Sequence, residues 1–448
     1  MSIEQLVLEA KRAGLSDAEI GRRFGLSLRR IERIVTESVG VNVSDLSCRR
    51  RIRRWEPADF HMEDTTVWSF PQRGDWATHN ARYRGNWSPF IPRNLILRYT
   101  LPGDLVLDPF SGGGTTAIEA KLLGRRCIAL DINPAAVQLT LENLQFTPPA
   151  NLFDETVIHE PQVSVGDARC MDIPNDSVDL VCAHPPYADI IRYTSDIEGD
   201  LSHLEYHSFL REMQSVAGEC YRVLKPGGKC AVLIGDMRRN RRVLPLGFDL
   251  ISVFLNAGFV LSELVIKRQH HCKTTGFWTK RSVEHNFLLL AHEYLPVFEK
   301  PVGNRPKDEI TMDGVPTNEI PMRFSPRVLS GAVNDELLQT TSVWMAQGCV
   351  EDMVTTNLKL RYGIDRIINI NDVGLQDLTD GVCRDGYTAF EVSDIRRDTL
   401  FPTALAVIDR MRSCEGSVLK EIVVVVTDAE DGDGTGLRPS HRYLLIYE

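Results

Sequence analysis

The sequence predicts an α/β fold, with strands and helices alternating around a glycine-rich turn. Three observations carry that expectation. Residues 105–107 (Leu-Val-Leu) read as a short buried strand and open directly into Asp108-Pro109-Phe110-Ser111-Gly112-Gly113-Gly114-Thr115-Thr116. A helical run from Ala117 to Leu123 follows, ends at Gly124, and leads into a second strand, Cys127 to Leu130, that finishes in Asp131. Beyond it, β-rich and helical stretches keep alternating to about residue 297, as expected for strand–crossover–strand units. The glycines let the backbone turn sharply and approach a ligand closely. A carboxylate ending the second strand accepts hydrogen bonds from ribose hydroxyls in Rossmann-like nucleotide folds.

Composition bounds the rest. A chain of 448 residues suggests two or three domains of roughly 100–200 residues each. With 43% hydrophobic and 25% charged residues it is an ordinary globular chain. Its longest apolar runs, such as Phe287 to Ala291 and Ile422 to Val426, are far shorter than the ~20 residues that span a bilayer, so no membrane is expected. The start, Met-Ser-Ile-Glu-Gln, has neither a basic nor an apolar leader region, and the ten cysteines include no Cys-x-x-Cys pair. A cytoplasmic protein with reduced thiols is the simplest reading.

The net charge of −10 argues at first against a nucleic-acid partner. Its distribution argues otherwise. Residues 22–54 carry ten Arg against three acids, while from residue 301 onward 15 Lys and Arg face 24 Asp and Glu. The expected organisation is a helix-turn-helix-like segment (1–45), a connector (46–80), a catalytic domain (81–300), a linker (301–326) and a separate C-terminal α+β domain (327–448). The linker is placed by the Pro-, Asn- and Asp-rich run from Asn304 to Pro326. No internal repeat is read.

In the head, Asp17 is placed to cap a helix bearing Ile20 and Phe24, and Gly25 suits a tight turn. Ser27 is placed to cap a second helix with Ile31, Ile34 and Val35 on its apolar side. Arg29, Arg30 and Arg33 fall away from that side. The pattern resembles the helix-turn-helix of resolvases and transcription regulators. It also fits a helical pair used for packing.

Residues 178–187 (Val-Asp-Leu-Val-Cys-Ala-His-Pro-Pro-Tyr) run a buried strand into His184-Pro185-Pro186-Tyr187. Two prolines fix φ and remove two backbone donors, which leaves carbonyls as rigid acceptors for an amine. Tyr187 offers a π-face for an extruded base. Together the two motifs resemble motif I and motif IV of the amino-methyltransferases that use S-adenosylmethionine. The resemblance covers about residues 81–297 and implies the methyltransferase version of the Rossmann-like fold. It implies that Asp108, Pro109, Phe110, Ser111, Gly112, Gly114, Thr115, Thr116, Asp131 and Asp167 frame the cofactor. Asn86, Trp87, Ser88 and Pro89, with Pro92 to Ile96, match the position of the segment that packs on the cofactor just before motif I.

His184 departs from the family, where Asp, Asn or Ser opens the tetrapeptide, so adenine N6 and cytosine N4 both stay open. No Pro-Cys dipeptide occurs, which argues against cytosine-C5 chemistry. Only 17 residues separate Asp167 from His184, so no target-reading domain lies between them. DNA contact is expected from the head and from two clusters after the tetrapeptide: Arg238, Arg239, Arg241 and Arg242, then Lys267, Arg268 and Lys273. A solvated surface would look the same. His270, His271 and Cys272 lack a partner pair at ligand spacing, so no metal is expected. The resemblance implies DNA as partner, with a restriction endonuclease as a second partner in a modification system. An RNA amino-methyltransferase and an inactive DNA-binding regulator are the alternatives. The sequence leaves the oligomeric state and the role of 327–448 open.

Overall fold

The computed structural model describes residues 3–13, 15, 17–26, 30–31, 34, 52–81, 83–148, 157–270, 275–303, 339–345, 350–364, 367–370, 386–396, 399–414, 416–427, 437 and 440–448. They fall into two compact units. The first comprises Met1–Met62, Gln72–Leu233 and Glu299–Arg305; the second comprises Glu63–Pro71, Ile234–Phe298 and Pro306–Glu448.

The first unit holds five parallel strands: β1 (Leu105–Asp108), β2 (Arg126–Asp131), β3 (Gln162–Val165), β4 (Val178–Ala183) and β5 (Leu224–Val232), in the order β5-β4-β1-β2-β3. Chain order reverses at β1, which has β4 on one side and β2 on the other. Ligands of such sheets bind at the carboxyl ends of the strands at this switch point. Lys300 exchanges backbone hydrogen bonds with Gly227 and Gly228, an antiparallel return beside the start of β5.

Six helices of this unit matter for the site: α1 (Ile3–Arg12), α2 (Asp17–Phe24), α3 (Phe90–Tyr99), α4 (Thr115–Leu122), α5 (Pro134–Asn143) and α6 (Tyr206–Val223). Helix α5 starts as its sequence dictates: the Asn133 side chain accepts from Ala135 N and Pro134 takes the first turn. Helix α4 is buried along its whole length. Its Glu119 carboxylate receives Trp76 Nε1 (2.6 Å), His79 Nε2 (2.7 Å) and Arg93 Nη1 (3.0 Å). Burial pushes that carboxyl up, but His79 and Arg93 outweigh it and hold it below its ordinary value. The expected connector 46–80 is therefore built into this unit from residue 72 onward.

Asp17–Phe24 is helical as expected, and Ile20, Ile31 and Ile34 are buried. They share a cluster with Val7 and Ala10 of α1, Tyr83, and Ala136 and Leu139 of α5. Val35, Arg29 and Arg33 lie outside the described residues.

In the second unit, Val67–Ser69 runs parallel to Val260–Arg268, which neighbours His292–Glu299. A five-stranded sheet has the order Val343–Trp344, Leu419–Val426, His441–Tyr447, Thr388–Val392, Ile367–Asn369. This corrects the expected division into a catalytic domain 81–300, a linker 301–326 and an independent tail 327–448. Leu288 shares its core with Trp344, Leu358, Val423 and Leu444, and Leu289 bridges to Thr341. Residues 234–298 thus fold with the tail, a long-range pairing that a reading of local composition does not detect.

Candidate functional site

The site begins at the turn between β1 and α4, where every loop amide has an assigned partner. Ser111 N donates to Leu130 O (2.8 Å) and Gly112 N to Asp131 Oδ2 (2.8 Å). Gly113 N donates to Asn86 Oδ1 (3.1 Å) and Gly114 N to Ser111 O (2.7 Å). Thr140 Oγ1 and Asn143 Nδ2, both on α5, hold the carbonyls of Gly112 and Gly113. Close packing explains the glycines. A Cβ on Gly112 would sit 2.8 Å from the Tyr83 ring, on Gly113 2.5 Å from Asn86 Nδ2, and on Gly114 2.7 Å from Thr140 Cγ2.

A cavity opens above this turn. Its floor and sides include Asp108, Pro109, Phe110, Ser111, Gly112, Asp131 and Asp167, and His184 and Pro186 reach it from the end of β4. Asp131 ties the amides of Gly112 and Asn133, and burial pushes its carboxyl up to about 6 against those bonds. Asp108 accepts from Phe110 N (3.0 Å) and is pushed up to about 7 by burial. Asp167 behaves differently: burial raises its carboxyl, but Arg169, with Nη2 at 2.6 Å and Nε at 3.0 Å, pulls it below its ordinary value. The Ser111 hydroxyl is buried without a hydrogen-bond partner in the same cavity. Buried polar groups are normally paired, so this hydroxyl points to a missing ligand.

Aromatic rings form the walls. Tyr83 stacks on Tyr193 with centroids 5.7 Å apart and planes within 7°. Trp87 lies over His184 at 5.6 Å and 20°. His184 Nε2 is 3.1 Å from Tyr187 Oη. The segment after the tetrapeptide is folded over the cavity by Asp200, which accepts from Thr194 Oγ1 (2.6 Å), Ser202 N (2.8 Å) and Ser202 Oγ (2.8 Å).

Several expected site residues are placed elsewhere. Gly114, Thr115 and Thr116 belong to the start of α4 and support the loop from behind rather than line the cavity. Ser88 donates to Arg73 O and Pro89 precedes α3, while Trp87 reaches the cavity wall. Pro185 and Tyr187 are outside the cavity lining, with Tyr187 touching it through His184. Sequence reasoning placed Asn86 with the cofactor-packing segment but missed Tyr83, Tyr193 and Asp200. It also missed Arg73, whose guanidinium donates to the carbonyls of Asn86 and Trp87 at 2.8 and 2.9 Å. The missed residues carried no signal beyond residue type.

Three residues of the basic clusters are paired within the protein. Arg238 is paired with the fully buried Glu421, Nη1 to Oε1 being 3.1 Å. Arg242 reaches Glu448 (3.4 Å), and Lys267 pairs with Glu293 (2.7 Å). Arg239 ends the first strand of the same short hairpin and Arg241 sits in its turn, and burial lowers the Arg268 guanidinium. Cations already neutralised by internal carboxylates are poor phosphate contacts. Lys273 lies outside the described residues, and Arg30 stands exposed on its helix.

A parallel sheet with this loop, these carboxylates and a Pro-Pro tetrapeptide at the switch point defines a methyltransferase-type nucleotide site. The family profile described as DNA methylase, of the N6/N4 type, matches residues 37–142 and 178–350. The chain belongs to that family. A second profile, the RMKL-like methyltransferase domain, matches 97–238.

Among individual relatives, the tRNA (guanine(10)-N2)-dimethyltransferase of Methanothermobacter thermautotrophicus is 33% identical over 138 residues, 31% of this chain and 37% of that protein. The type II methyltransferase M.BsoBI of Geobacillus stearothermophilus is 35% identical over 88 residues, 19% of this chain and 16% of that protein. The chain thus spans well under half the length of these curated relatives. A solved putative DNA modification methylase of Thermus thermophilus, complexed with S-adenosyl-L-methionine, is 31% identical, with 32% of this chain and 56% of that one covered and a TM-score of 0.24.

Proposed function

We propose that the protein transfers a methyl group from S-adenosylmethionine to an exocyclic amine of a DNA base, adenine N6 or cytosine N4. The observation that carries this reading is the meeting of the glycine turn with His184 and Pro186 of the tetrapeptide in one cavity. The cavity chemistry fits the cofactor: a buried unpaired hydroxyl at Ser111, and an excess of carboxylates suited to a cation bearing ribose hydroxyls. When bound, the cofactor supplies an electrophilic methyl on a sulfonium.

Ser111 and the loop around it would hold the amino-acid end. Ionised Asp131 would take ribose hydroxyls, and Asp167 would meet the adenine edge. Tyr83, Tyr193 and Trp87 exclude water from the walls. His184 is oriented by its stack on Trp87 and its bond with Tyr187 Oη, and in neutral form an imidazole nitrogen is a hydrogen-bond acceptor. With the rigid Pro185 carbonyl it would align the amine for in-line attack, so positioning carries much of the rate. The N-terminal helices, with Arg30 on their exposed face, are the DNA-reading head in this proposal.

The tRNA-modifying relative favours RNA as the second reading. One experiment separates them: incubate the protein with methyl-labelled S-adenosylmethionine and either duplex DNA or RNA, digest, and identify the modified nucleoside. N6-methyladenine or N4-methylcytosine from DNA is the expected result. Label confined to RNA would overturn the proposal.

A further inference from the structure

The chain carries the same series of short segments twice. Thr65-Thr66-Val67-Trp68 returns as Thr341-Ser342-Val343-Trp344, and Asn94-Leu-Ile-Leu-Arg-Tyr99 as Asn357-Leu-Lys-Leu-Arg-Tyr362. Asp236-Met-Arg-Arg239 returns as Asp394-Ile-Arg-Arg397, and His292-Glu-Tyr294-Leu as His441-Arg-Tyr443-Leu. The four matches keep their order along the chain. This overturns the expectation of no internal repeat; spacings of 276, 263, 158 and 149 residues hid it, because the copies differ in length.

The matched segments also fold alike. Trp68 Nε1 donates to Thr65 O (2.9 Å) and Trp344 Nε1 to Thr341 O (3.0 Å). Asn94 Nδ2 donates to Phe90 O (2.8 Å) and Asn357 Nδ2 to Met353 O (2.9 Å). After each Asp-x-Arg-Arg comes a short hairpin, a proline (Pro245, Pro402), a helix (Leu246–Asn256, Thr403–Arg412) and a strand (Val260–Arg268, Leu419–Val426). Each of these strands pairs in parallel with the strand of its own copy's Val-Trp motif and lies beside its own copy's His-x-Tyr strand. Asp236 accepts the Tyr294 hydroxyl (3.0 Å), and Asp394 lies against that of Tyr443; His292 and His441 meet the same tyrosines at 2.9 Å.

The decisive contacts cross between the copies. Thr66 Oγ1, of the first copy, bonds His441 Nδ1 of the second at 2.8 Å, and Ser342 Oγ, of the second, bonds His292 Nδ1 of the first at 2.8 Å. Each hydroxyl also accepts the amide just before the other copy's histidine: Ser440 N to Thr66 Oγ1 and Ala291 N to Ser342 Oγ, both 3.0 Å. Residue i meets j of the other copy and j meets i, which is the contact pattern of an isologous two-fold interface.

The second copy is abbreviated. From Tyr99 to Asp236 is 137 positions; from Tyr362 to Asp394 is 32. What is missing in that interval corresponds to the glycine turn, Asp131, Asp167 and the tetrapeptide. We infer that residues 339–448 are a second, truncated copy of the methyltransferase fold, which occupies within one chain the place a second subunit would take. The protein is a built-in dimer: one chain, one cofactor site, and a pairing face already filled.

Sedimentation equilibrium of the intact protein tests this independently of its substrate. The expected mass is one chain, 50.5 kDa, at all loading concentrations; a stable two-chain mass would overturn the inference. A second measurement probes the symmetry. Exchanging the crossing hydroxyls in the double variant Thr66→Ser, Ser342→Thr should leave Tm unchanged. Thr66→Val and Ser342→Val should each lower it by equal amounts. A Tm loss from one valine variant and none from the other would overturn the equivalence of the two contacts.

Discussion

Four buried aspartates share one electrostatic condition and differ in what faces them. Burial pushes Asp108 up to about 7 and Asp131 to about 6 in the first unit, and Asp236 and Asp394 to about 7 in the second. Asp108 and Asp131 end adjacent parallel strands and border a cavity. Asp236 is met by the Tyr294 hydroxyl and Gly247 N, both at 3.0 Å, and Asp394 by Tyr443 and the amides opening the helix Thr403–Arg412. A raised carboxyl therefore marks burial. It marks a site where a cavity and an unpaired group such as the Ser111 hydroxyl adjoin it.

The sharpest way to break that comparison is to remove one carboxylate from each set. Hydrogen bonds to charged groups are worth about 1.5–3 kcal/mol, which is a factor of roughly 10–150 in affinity. Asp131→Ala loses both the acceptor for a ribose and the tie that holds Gly112 N. Its affinity for S-adenosylmethionine, measured by titration calorimetry, should fall on the order of 100-fold. Asp236→Ala should leave that affinity within about twofold while lowering stability to urea by about 1–3 kcal/mol, because Tyr294 and Gly247 N lose their acceptor. Equal affinity losses from both would erase the distinction.

A smaller effect is expected from the loop's backbone. Gly114 has φ +80° and Thr140 lies 2.7 Å from where a Cβ would be; Gly103 has φ +87° and nothing within 4 Å. Alanine at either position costs the left-handed strain, roughly 1–2 kcal/mol. Alanine at 114 adds the clash and displaces the loop. Thermal melts should show Gly114→Ala losing more than Gly103→Ala, with weakened cofactor binding confined to the former. Equal Tm losses would mean that Thr140 yields and the loop is not held by this contact.

The same contrast explains what was legible in the sequence. The glycine turn, Asp131 and the tetrapeptide are local: spacing of a few residues determines the backbone, and the backbone determines the site. Ile20, Ile31 and Ile34 were legible for the same reason, as helical periodicity predicts burial. The arginines after residue 237 were read by summing charge along the chain. The counter-ions of two of them, Glu421 for Arg238 and Glu448 for Arg242, sit in the acidic tail 183 and 206 positions on, where a local count does not find them. Tyr83 and Tyr193 were illegible because their stack joins residues 110 positions apart with no motif around either.

The smallest effect is one of pH, and the two sets differ in whether neighbouring groups offset it. Asp131 must be ionised to accept from two hydroxyls, so with a carboxyl near 6 the affinity for S-adenosylmethionine should drop about tenfold between pH 7 and pH 5. Stability runs the other way here. A carboxyl raised in the folded state favours folding below its unfolded value near 4, and that advantage is lost as pH rises through 6 to 7 for Asp131 and Asp108. In the second unit, Asp236 and Asp394 follow the same sign, but His292 and His441 oppose it. Burial pushes those imidazoles down to about 4 and about 3, so their contribution is present above about 6.5 and lost as pH falls toward 4. Two carboxyls and two imidazoles offset one another, leaving the second unit nearly level between pH 7 and 5 while the first gains. Amide hydrogen exchange resolved by segment at the two pH values, corrected for intrinsic rates, measures this directly. Added protection in β1 and β2 with little change in Leu419–Val426 is the expected result; a loss of protection in both would place the pH response in the shared fold rather than in the facing groups.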